Sequence, residues 1–230
     1  MELFIKFLNF FFRLIWLLHK NKIVNYLNEQ LKPKIIFDVG AYRGKFGHSF
    51  KNSKVFFFEP NINSFQKIKK LRQNKYFNVG IGSKKKKKTF HILPNDSASS
   101  INKQKVNSQL KDIFLNLLGG KKNKININIY PLNFFIEKYS IKIIDILKID
   151  TEGYENEVLK GISKKNFKKI RFIIIEKCLY ENLYHNYSFK KIQKVLDRNI
   201  FTFLKKFKDP VWNYEDHIYK KKNIKNKFKK

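Results

Sequence analysis

Short apolar runs separated by amphipathic stretches recur along the chain. The strongest runs cover residues 34–40, 55–60, 143–150 and 170–177. A run of this length, bounded by turn-forming residues, is typical of a strand that is buried on both faces. Because these runs alternate with helical patterns, the sequence predicts βαβ units, a mostly parallel sheet and an α/β fold.

Weaker patterns fill the intervals between these runs. Further strands are expected at residues 76–81, 89–93, 125–130 and 200–207. Helices are expected at residues 44–51, 61–72, 131–139, 151–162 and 188–198. Residues 84–88 are typical of a solvated turn, and the polar stretch 94–124 carries one short helical pattern at 113–118. A long polar insertion in a compact domain is usually functional or flexible.

Residues 3–18 form an apolar segment with one polar stripe. Its polar positions repeat at helical spacing: Glu2, Lys6, Asn9, Arg13 and Lys20. The segment is short and carries two cations, so it is not expected to span a membrane. No small-residue cleavage site follows it, which argues against a signal peptide. Two alternatives stay open, namely a helix packed on the domain or on a second copy of it, and a helix lying in the plane of a membrane surface.

Composition indicates a folded domain. The chain has 230 residues, of which 43% are hydrophobic and 16% are aromatic, whereas a disordered basic chain would have few of either. The single cysteine, Cys178, excludes an internal disulfide. We expect a helical extension over 1–30, a main domain over 31–218 and a basic tail over 219–230.

Lysine dominates the charge of the protein. There are 50 Lys and Arg residues against 18 Asp and Glu residues, which gives a formal net charge of +32. Attraction to a polyanion such as nucleic acid is one interpretation. A compositional bias is the other, because only five of the cations are Arg, the residue that nucleic-acid readers favour.

Candidate chemistry begins at the ends of the first two strong strands. Asp38 opens the sequence DVGAYRG, in which Gly40 and Gly44 allow a tight turn and the close approach of a ligand. Glu59 ends the next strand, twenty-one residues later, at the spacing that holds ribose hydroxyls. The turn matches neither GxGxxG nor GxxxxGK[ST]. We therefore predict an adenosine-containing cofactor across these two strands.

A second acidic group follows the two later strong strands. Asp150 ends the run 143–150, Glu152 lies at the start of the expected helix 151–162, and Glu176 closes the run 170–177. Carboxyl ends of parallel strands open onto the same crevice. Asp150, Glu152 and Glu176 are therefore our candidate catalytic residues.

Five motifs in fixed order resemble those of FkbM-type S-adenosylmethionine-dependent methyltransferases. They are FDVGAYRG, FFFEPN, NVGIG, LKIDTEGYENEVLKGI and IIIEK, within residues 34–178. The resemblance implies a class I methyltransferase fold with a seven-stranded Rossmann-like sheet and S-adenosylmethionine as cofactor. It assigns the cofactor contacts to five residues: Asp38, Gly40, Gly44, Glu59 and Asn78.

The reaction that the resemblance implies is methyl transfer to an oxygen. The expected acceptor is a hydroxyl of a sugar, a glycan or another small molecule, and its proton needs a base. Asp150 is the first candidate for that base and Glu176 is its partner. Alternatively, these two carboxylates hold a divalent cation such as Mg²⁺. Other functions left open are an RNA methyltransferase of the same fold and a non-catalytic basic protein at a membrane surface.

The distribution of charge bears on the expected partners. The motif residues are acidic, whereas lysine gathers in turns, in the insertion and in the tail. Nucleic acid is therefore not the expected substrate. We expect a cytoplasmic enzyme, with no expectation for its oligomeric state. Peripheral contact with the inner face of the membrane through residues 3–18 is one of the two alternatives left open for that segment.

Overall fold

The computed structural model describes residues 15, 18–92, 99–102, 123–179, 184, 187–210 and 214–222. Its strands are β1 (Ile35–Val39), β2 (Lys54–Phe58), β3 (Lys75–Phe77), β4 (Gly80–Ile81), β5 (Lys86–Ile92), β6 (Asn123–Tyr130), β7 (Ile144–Ile149), β8 (Ile170–Cys178), β9 (Phe201–Lys208) and β10 (Tyr214–Lys221). Its helices are α1 (residues 18–30), α2 (Lys45–His48), α3 (Ile62–Gln66), α4 (Leu132–Lys138), α5 (Glu155–Lys160), α6 (Lys164–Phe167) and α7 (Phe189–Arg198).

Seven strands form one twisted sheet in the order β3-β2-β1-β7-β8-β10-β9. Neighbours from β3 to β8 pair in parallel, while β10 pairs antiparallel with both β8 and β9. The expected class I methyltransferase sheet is confirmed. Strand order reverses between β1 and β7, and such a reversal opens a crevice at the carboxyl ends of the strands.

A second sheet of three strands has the order β4-β6-β5. It divides the strand that was expected at residues 76–81, because β3 joins the large sheet and β4 joins the small one. The expected turn at 84–88 is partly wrong, since β5 already begins at Lys86.

Both faces of the large sheet are covered by helices. Side chains alternate between the faces along each strand, so that Phe37 and Leu147 pack with α4, α5 and α7, whereas Ile36 and Ile146 pack with α1 and α2. This two-sided burial explains why the central strands are continuously apolar.

Helix α1 packs directly against one face of the large sheet. Ile23, Val24 and Leu27 are buried in the same cluster as the strand residues Ile36 and Ile146. The part of the expected extension that the structure describes therefore packs on the domain. Within the described residues, no helix has both the length and the apolar character needed to cross a bilayer.

Two sequence predictions need correction. The helix expected at 151–162 begins only at Glu155, because Glu152 and Gly153 have φ angles of 52° and 91°, which an α-helix does not admit. The domain boundary expected after residue 218 lies inside β10, which runs to Lys221 and pairs with β9 along its length. The helical pattern at 113–118 falls outside the described residues.

Candidate functional site

The face of the sheet that carries α1 changes from apolar to charged at its carboxyl edge. Asp38 of β1 is the register partner of Lys148 of β7, and Glu176 of β8 is the partner of Asp216 of β10. Asp150 follows Lys148 by two residues and so shares its face. Four adjacent strands thus bring five charged side chains into one row along the crevice.

Lys148 is the buried cation of this row. Its Nζ lies 2.8 Å from Oδ2 of Asp150 and 3.7 Å from Oδ1 of Asp38, and the residue is 4% exposed. Burial alone would lower the pKa of Lys148, but the Asp150 and Asp38 carboxylates raise it above its usual range. Sequence analysis did not single out Lys148, although a lone cation inside an apolar run was a usable signal.

Asp38 joins the first strand to the helix that follows. Its Oδ2 accepts a hydrogen bond of 3.2 Å from the Gly47 N–H in α2, and the residue is fully buried. Burial raises the pKa of Asp38 despite the nearby Lys148 ammonium. The predicted cofactor residue Asp38 therefore lies at the expected end of β1, where its carboxylate contacts the Gly47 N–H and the Lys148 ammonium.

The turn after β1 has three residues with left-handed backbone, Gly40, Tyr42 and Gly44, at φ angles of 76°, 52° and 73°. A Cβ at Gly40 would overlap the carbonyl oxygen of Asp150, whose own N–H donates to Val39 at 3.0 Å. The structure thus requires glycine at position 40 because the end of β7 passes against the turn. The tight turn expected at Gly40 is therefore present, and the close approach is made by the protein's own backbone at Asp150.

Glu59 connects this turn to the end of β2. Its Oε2 accepts from the Tyr42 N–H at 2.7 Å, and its Oε1 accepts from the Asn61 N–H at 2.8 Å. Burial raises the pKa of Glu59 to about 8, although both N–H groups oppose the shift. The Nδ2 of Asn78 donates to the carbonyls of Glu59 at 2.9 Å and Pro60 at 3.1 Å, so Asn78 fixes the backbone that carries this carboxyl.

The turn after β7 is held by a buried carboxyl of the following helix. Oε1 of Glu155 accepts from the Thr151 N–H and O–H, both at 3.0 Å, and from the Gly153 N–H at 3.1 Å. Burial raises the pKa of Glu155 to about 7. Glu155 therefore shapes the turn that carries the predicted catalytic residue Glu152.

Two other segments close over the same turn. The hydroxyl of Tyr184 donates to Oε2 of Glu152, and its ring lies where a Cβ at Gly153 would be. From the polar insertion, the Ser100 hydroxyl donates to the Glu152 carbonyl and the Asn102 amide donates to that of Gly153. These contacts over-determine the left-handed backbone, which is the condition under which strained conformations persist at functional sites.

The structure brings the three predicted catalytic carboxylates together. Oxygens of Asp150, Glu152 and Glu176 lie within 4.8 Å of one another. Burial raises the pKa of Glu176 well above its usual range, and the charges of Asp150, Glu152 and Asp216 add to the rise. Glu176 thus retains its proton at a pH at which an exposed glutamate has lost it.

A shared cation at this cluster would compete with partners that are already present. The Lys148 ammonium pairs with Asp150, and the Tyr184 hydroxyl binds Glu152. An acidic cluster with such partners does not by itself define a metal site, so the divalent cation considered from sequence stays a prediction.

Asp216 was missed in the sequence. Its Oδ2 lies 3.1 Å from both Lys20 Nζ and His19 Nε2 of α1, and all three residues are buried. Burial alone would raise the pKa of Asp216, but Lys20 and His19 hold it well below its usual range. The start of α1 therefore contributes to the charged row.

Solved structures similar to this chain are methyltransferases of low sequence identity. Magnesium protoporphyrin IX methyltransferase (ChlM) from Synechocystis, with bound S-adenosylmethionine, is 10% identical, with 90% of this chain and 79% of that chain covered and a TM-score of 0.49. A TehB-like S-adenosylmethionine-dependent methyltransferase from Corynebacterium glutamicum is also 10% identical, with coverage of 89% and 88% and a TM-score of 0.45. Fibrillarin from Aeropyrum pernix is 10% identical, with coverage of 83% and 67% and a TM-score of 0.41. No curated protein gives a significant match.

A sequence profile gives the family directly. The profile of the methyltransferase FkbM domain matches residues 38–207, a span that runs from the first carboxylate of the site into β9. Because this match covers most of the chain and includes the strand ends described above, the chain belongs to the FkbM family of S-adenosylmethionine-dependent methyltransferases.

Proposed function

We propose that this enzyme methylates a hydroxyl of a sugar, a glycan or another small molecule, and that Glu176 takes the proton of that hydroxyl. The observation that carries the proposal is the half-buried Glu176 carboxyl beside Asp150 and Glu152, within 4.8 Å between their oxygens. A general base works best when its pKa lies near the operating pH, and burial moves the pKa of Glu176 upwards, towards that condition.

The proposed cofactor site lies across the carboxyl ends of β1 and β2. Each oxygen of Glu59 accepts one backbone N–H, and a carboxylate oxygen can accept further hydrogen bonds, which supports ribose binding there. Asn78 holds the backbone of Glu59, while Asp38 and the glycines 40 and 44 shape the turn beside it. When bound, S-adenosylmethionine supplies a methyl group on a positively charged sulfur.

The two carboxylates proposed from sequence take different roles. Methylation of a hydroxyl releases a proton, and Glu176 accepts it. Asp150 is paired with the Lys148 ammonium at 2.8 Å through Oδ2, and a carboxylate oxygen can accept further hydrogen bonds. Asp150 therefore orients the acceptor by accepting a hydrogen bond from it. This reverses the order of the two candidates given by the sequence.

The charge of the row supports a neutral, hydroxyl-rich acceptor. Asp150, Glu152, Glu176 and Asp216 lie together with the two ammonium groups of Lys148 and Lys20. Acidic groups repel phosphodiesters at close range and accept hydrogen bonds from the hydroxyls of a sugar. The same argument favours a sugar or small polyol over RNA as the substrate, despite the basic surface.

Methyl transfer from labelled S-adenosylmethionine to a panel of sugars, glycan extracts and RNA tests this proposal. We expect sugars or glycans to be labelled. The rate of methyl transfer should fall by about 10²–10⁴-fold in the Glu176→Gln variant, which should still bind the cofactor in calorimetry. The matched control is Glu137→Gln, at an exposed position of α4. Label in RNA alone, or full activity of Glu176→Gln, would contradict the proposal.

We further propose that the enzyme works in the cytoplasm and docks on the inner face of the membrane through residues 3–18. Helix α1 begins beside the charged row, with Leu18 exposed and Lys20 buried on Asp216. The start of α1, to which the amphipathic segment is joined, therefore lies beside the charged row. Sedimentation with anionic liposomes tests this, with deletion of residues 1–17 expected to abolish binding. Deletion of the basic residues 223–230 is the control, and equal loss in both would contradict apolar docking.

A further inference from the structure

We infer that α1 is a working part of the active site, and that Lys20 is a positioning residue which acts on Glu176 through Asp216. This inference rests on the proposed function, because it concerns the group proposed above as proton acceptor. Neither the sequence motifs nor the family match assigns a role to α1, which precedes residue 38, where that match begins.

The face of α1 that packs on the sheet is apolar over most of its length and becomes polar where the sheet itself becomes charged, at the carboxyl ends of the strands. Ile23, Val24 and Leu27 lie in the apolar cluster, and one turn earlier His19 and Lys20 are buried although they are polar. Long basic side chains are seldom buried without a partner. The position of these two residues is therefore explained by the charged row opposite them.

The partner of both residues is a single carboxylate oxygen. Lys20 Nζ and His19 Nε2 each lie 3.1 Å from Oδ2 of Asp216, and Asp216 is the register partner of Glu176 on the adjacent strand. Side chains of register partners on one face are close neighbours. The contacts thus lead from α1 through Asp216 to Glu176.

Glu176 is surrounded by groups of both signs. The carboxylates of Asp150, Glu152 and Asp216 raise its pKa, and Lys20 lowers it. Lys148 lies next to Asp150 in the same row, and the phenols of Tyr184, Tyr187 and Tyr214 are further titratable neighbours. Burial raises the pKa of each phenol further above its usual range, so all three stay neutral while Glu176 titrates.

Lys20 and Asp216 therefore act on Glu176 in opposite directions. Removal of the Lys20 charge takes away a cation that lowers the pKa of Glu176 and leaves the carboxylates that raise it, so Glu176 becomes harder to ionise. Removal of the Asp216 charge makes it easier to ionise, since one repulsive neighbour is lost and Lys20 remains. A pair that served only to attach α1 to the sheet would give no such opposite response.

The test follows the titration of Glu176 itself. Glutamate labelled with ¹³C at the carboxyl carbon is incorporated into the full chain, and the Glu176 resonance is identified by its loss in Glu176→Gln. We expect the midpoint to rise in Lys20→Met and to fall in Asp216→Asn, each by about one pH unit or more. Lys20→Arg, which keeps the charge, and Lys22→Met, at an exposed position of α1, should leave the midpoint in place.

Each result decides between defined outcomes. Midpoints that stay fixed, or that move in the same direction in Lys20→Met and Asp216→Asn, overturn the inference. If Lys20→Met does not fold, the midpoints of Asp216→Asn and Lys20→Arg are compared instead. The inference then requires a lower midpoint in Asp216→Asn and an unchanged midpoint in Lys20→Arg. If the midpoints move as expected but the pH profile of methyl transfer does not follow them, the role of Lys20 stands and Glu176 is not the proton acceptor.

Discussion

The buried Lys148 of β7 and the half-buried Asp150 at the end of that strand form an ion pair of 2.8 Å, and the two residues lie on the same face. The same ammonium lies 3.7 Å from Asp38 on β1. One cation thus balances two carboxylates at the point where the strand order of the sheet reverses, and this explains how an acidic crevice is compatible with a folded core.

Replacement of Lys148 by Met should remove that balance. The carboxylates of Asp38 and Asp150 would lose their counterion, and loss of one partner from a buried pair costs about 3–5 kcal/mol. Urea unfolding measures the loss. The control is Lys160→Met, which breaks an exposed pair with Glu157 and should cost at most about 1 kcal/mol. Equal losses of unfolding free energy in the two variants would show that the Lys148 pair contributes no more to stability than an exposed ion pair.

Cofactor binding should release a proton from Glu59. Its pKa in the free protein is about 8, so at pH 7 most of the population is protonated. Ribose hydroxyls that donate to the ionised form lower this pKa, and affinity for S-adenosylmethionine therefore rises as the pH increases towards 8. Calorimetry in two buffers of different protonation enthalpy measures the proton released.

The Glu59→Gln variant is the control for this effect. It should bind S-adenosylmethionine more weakly and without the pH dependence. Proton uptake on binding by the unchanged protein, or the same pH dependence in the variant, would contradict a ribose contact at Glu59.

Glu155→Gln should stabilise the protein at pH 8 and not at pH 5. The folded-state pKa of Glu155 is about 7, above its ordinary value of 4.5, so the folded protein holds more protons than the unfolded chain between these values. The stability contributed by this group is therefore present below pH 4.5 and is lost as the pH rises through 7, by about 3–3.5 kcal/mol in total.

A glutamine amide can accept the three hydrogen bonds from Thr151 and Gly153 without a charge. Urea unfolding at both pH values compares the variant with the unchanged chain. A larger loss of stability at pH 8 than at pH 5 would mean that the ionised carboxylate is the stabilising form.

Gly153→Ala should destabilise the protein by about 2–4 kcal/mol. A left-handed backbone is unfavourable for alanine, and the new Cβ would overlap the Tyr184 ring, which adds overpacking. Thermal and urea unfolding measure the change. In a Tyr184→Ala background the same substitution should cost only the conformational part, about 1–2 kcal/mol. An equal cost in both backgrounds would exclude the contact with Tyr184.

Methyl transfer should persist after dialysis against EDTA. The pairing of Asp150 with Lys148 and of Glu152 with Tyr184 provides the carboxylates with partners other than a metal ion. Rates are compared before and after chelation and after Mg²⁺ is returned. Loss of activity that Mg²⁺ restores would favour the cation considered from sequence and contradict Glu176 as an unassisted proton acceptor.

The strong strands could be predicted because a strand buried on both faces needs an unbroken apolar run. The strands β1, β2, β7 and β8 begin and end within two residues of the expected positions. Strand β10 was not predicted, since Glu215, Asp216 and His217 interrupt any apolar pattern. Asp216 is polar because it lies in the charged row, and Glu215 on the other face pairs with Lys206 and His217; these are tertiary reasons that no local pattern carries.

The candidate site could be predicted only in part for a similar reason. Asp38, Glu59, Asp150 and Glu176 were found because the topology of parallel strands brings their carboxyl ends together. Partners such as Lys20 could not be found, because its contact with Asp216 joins positions 196 residues apart.

That separation has a consequence for the order in which the molecule matures. A contact between α1 and β10 closes a loop of almost the whole described chain, and such long-range contacts form late because their closure entropy is large. We expect this contact to complete the charged row late in folding, after the apolar layers have formed. A copy released before β10 is synthesised would lack Asp216, and with it the partner of the buried Lys20 and the register neighbour of Glu176.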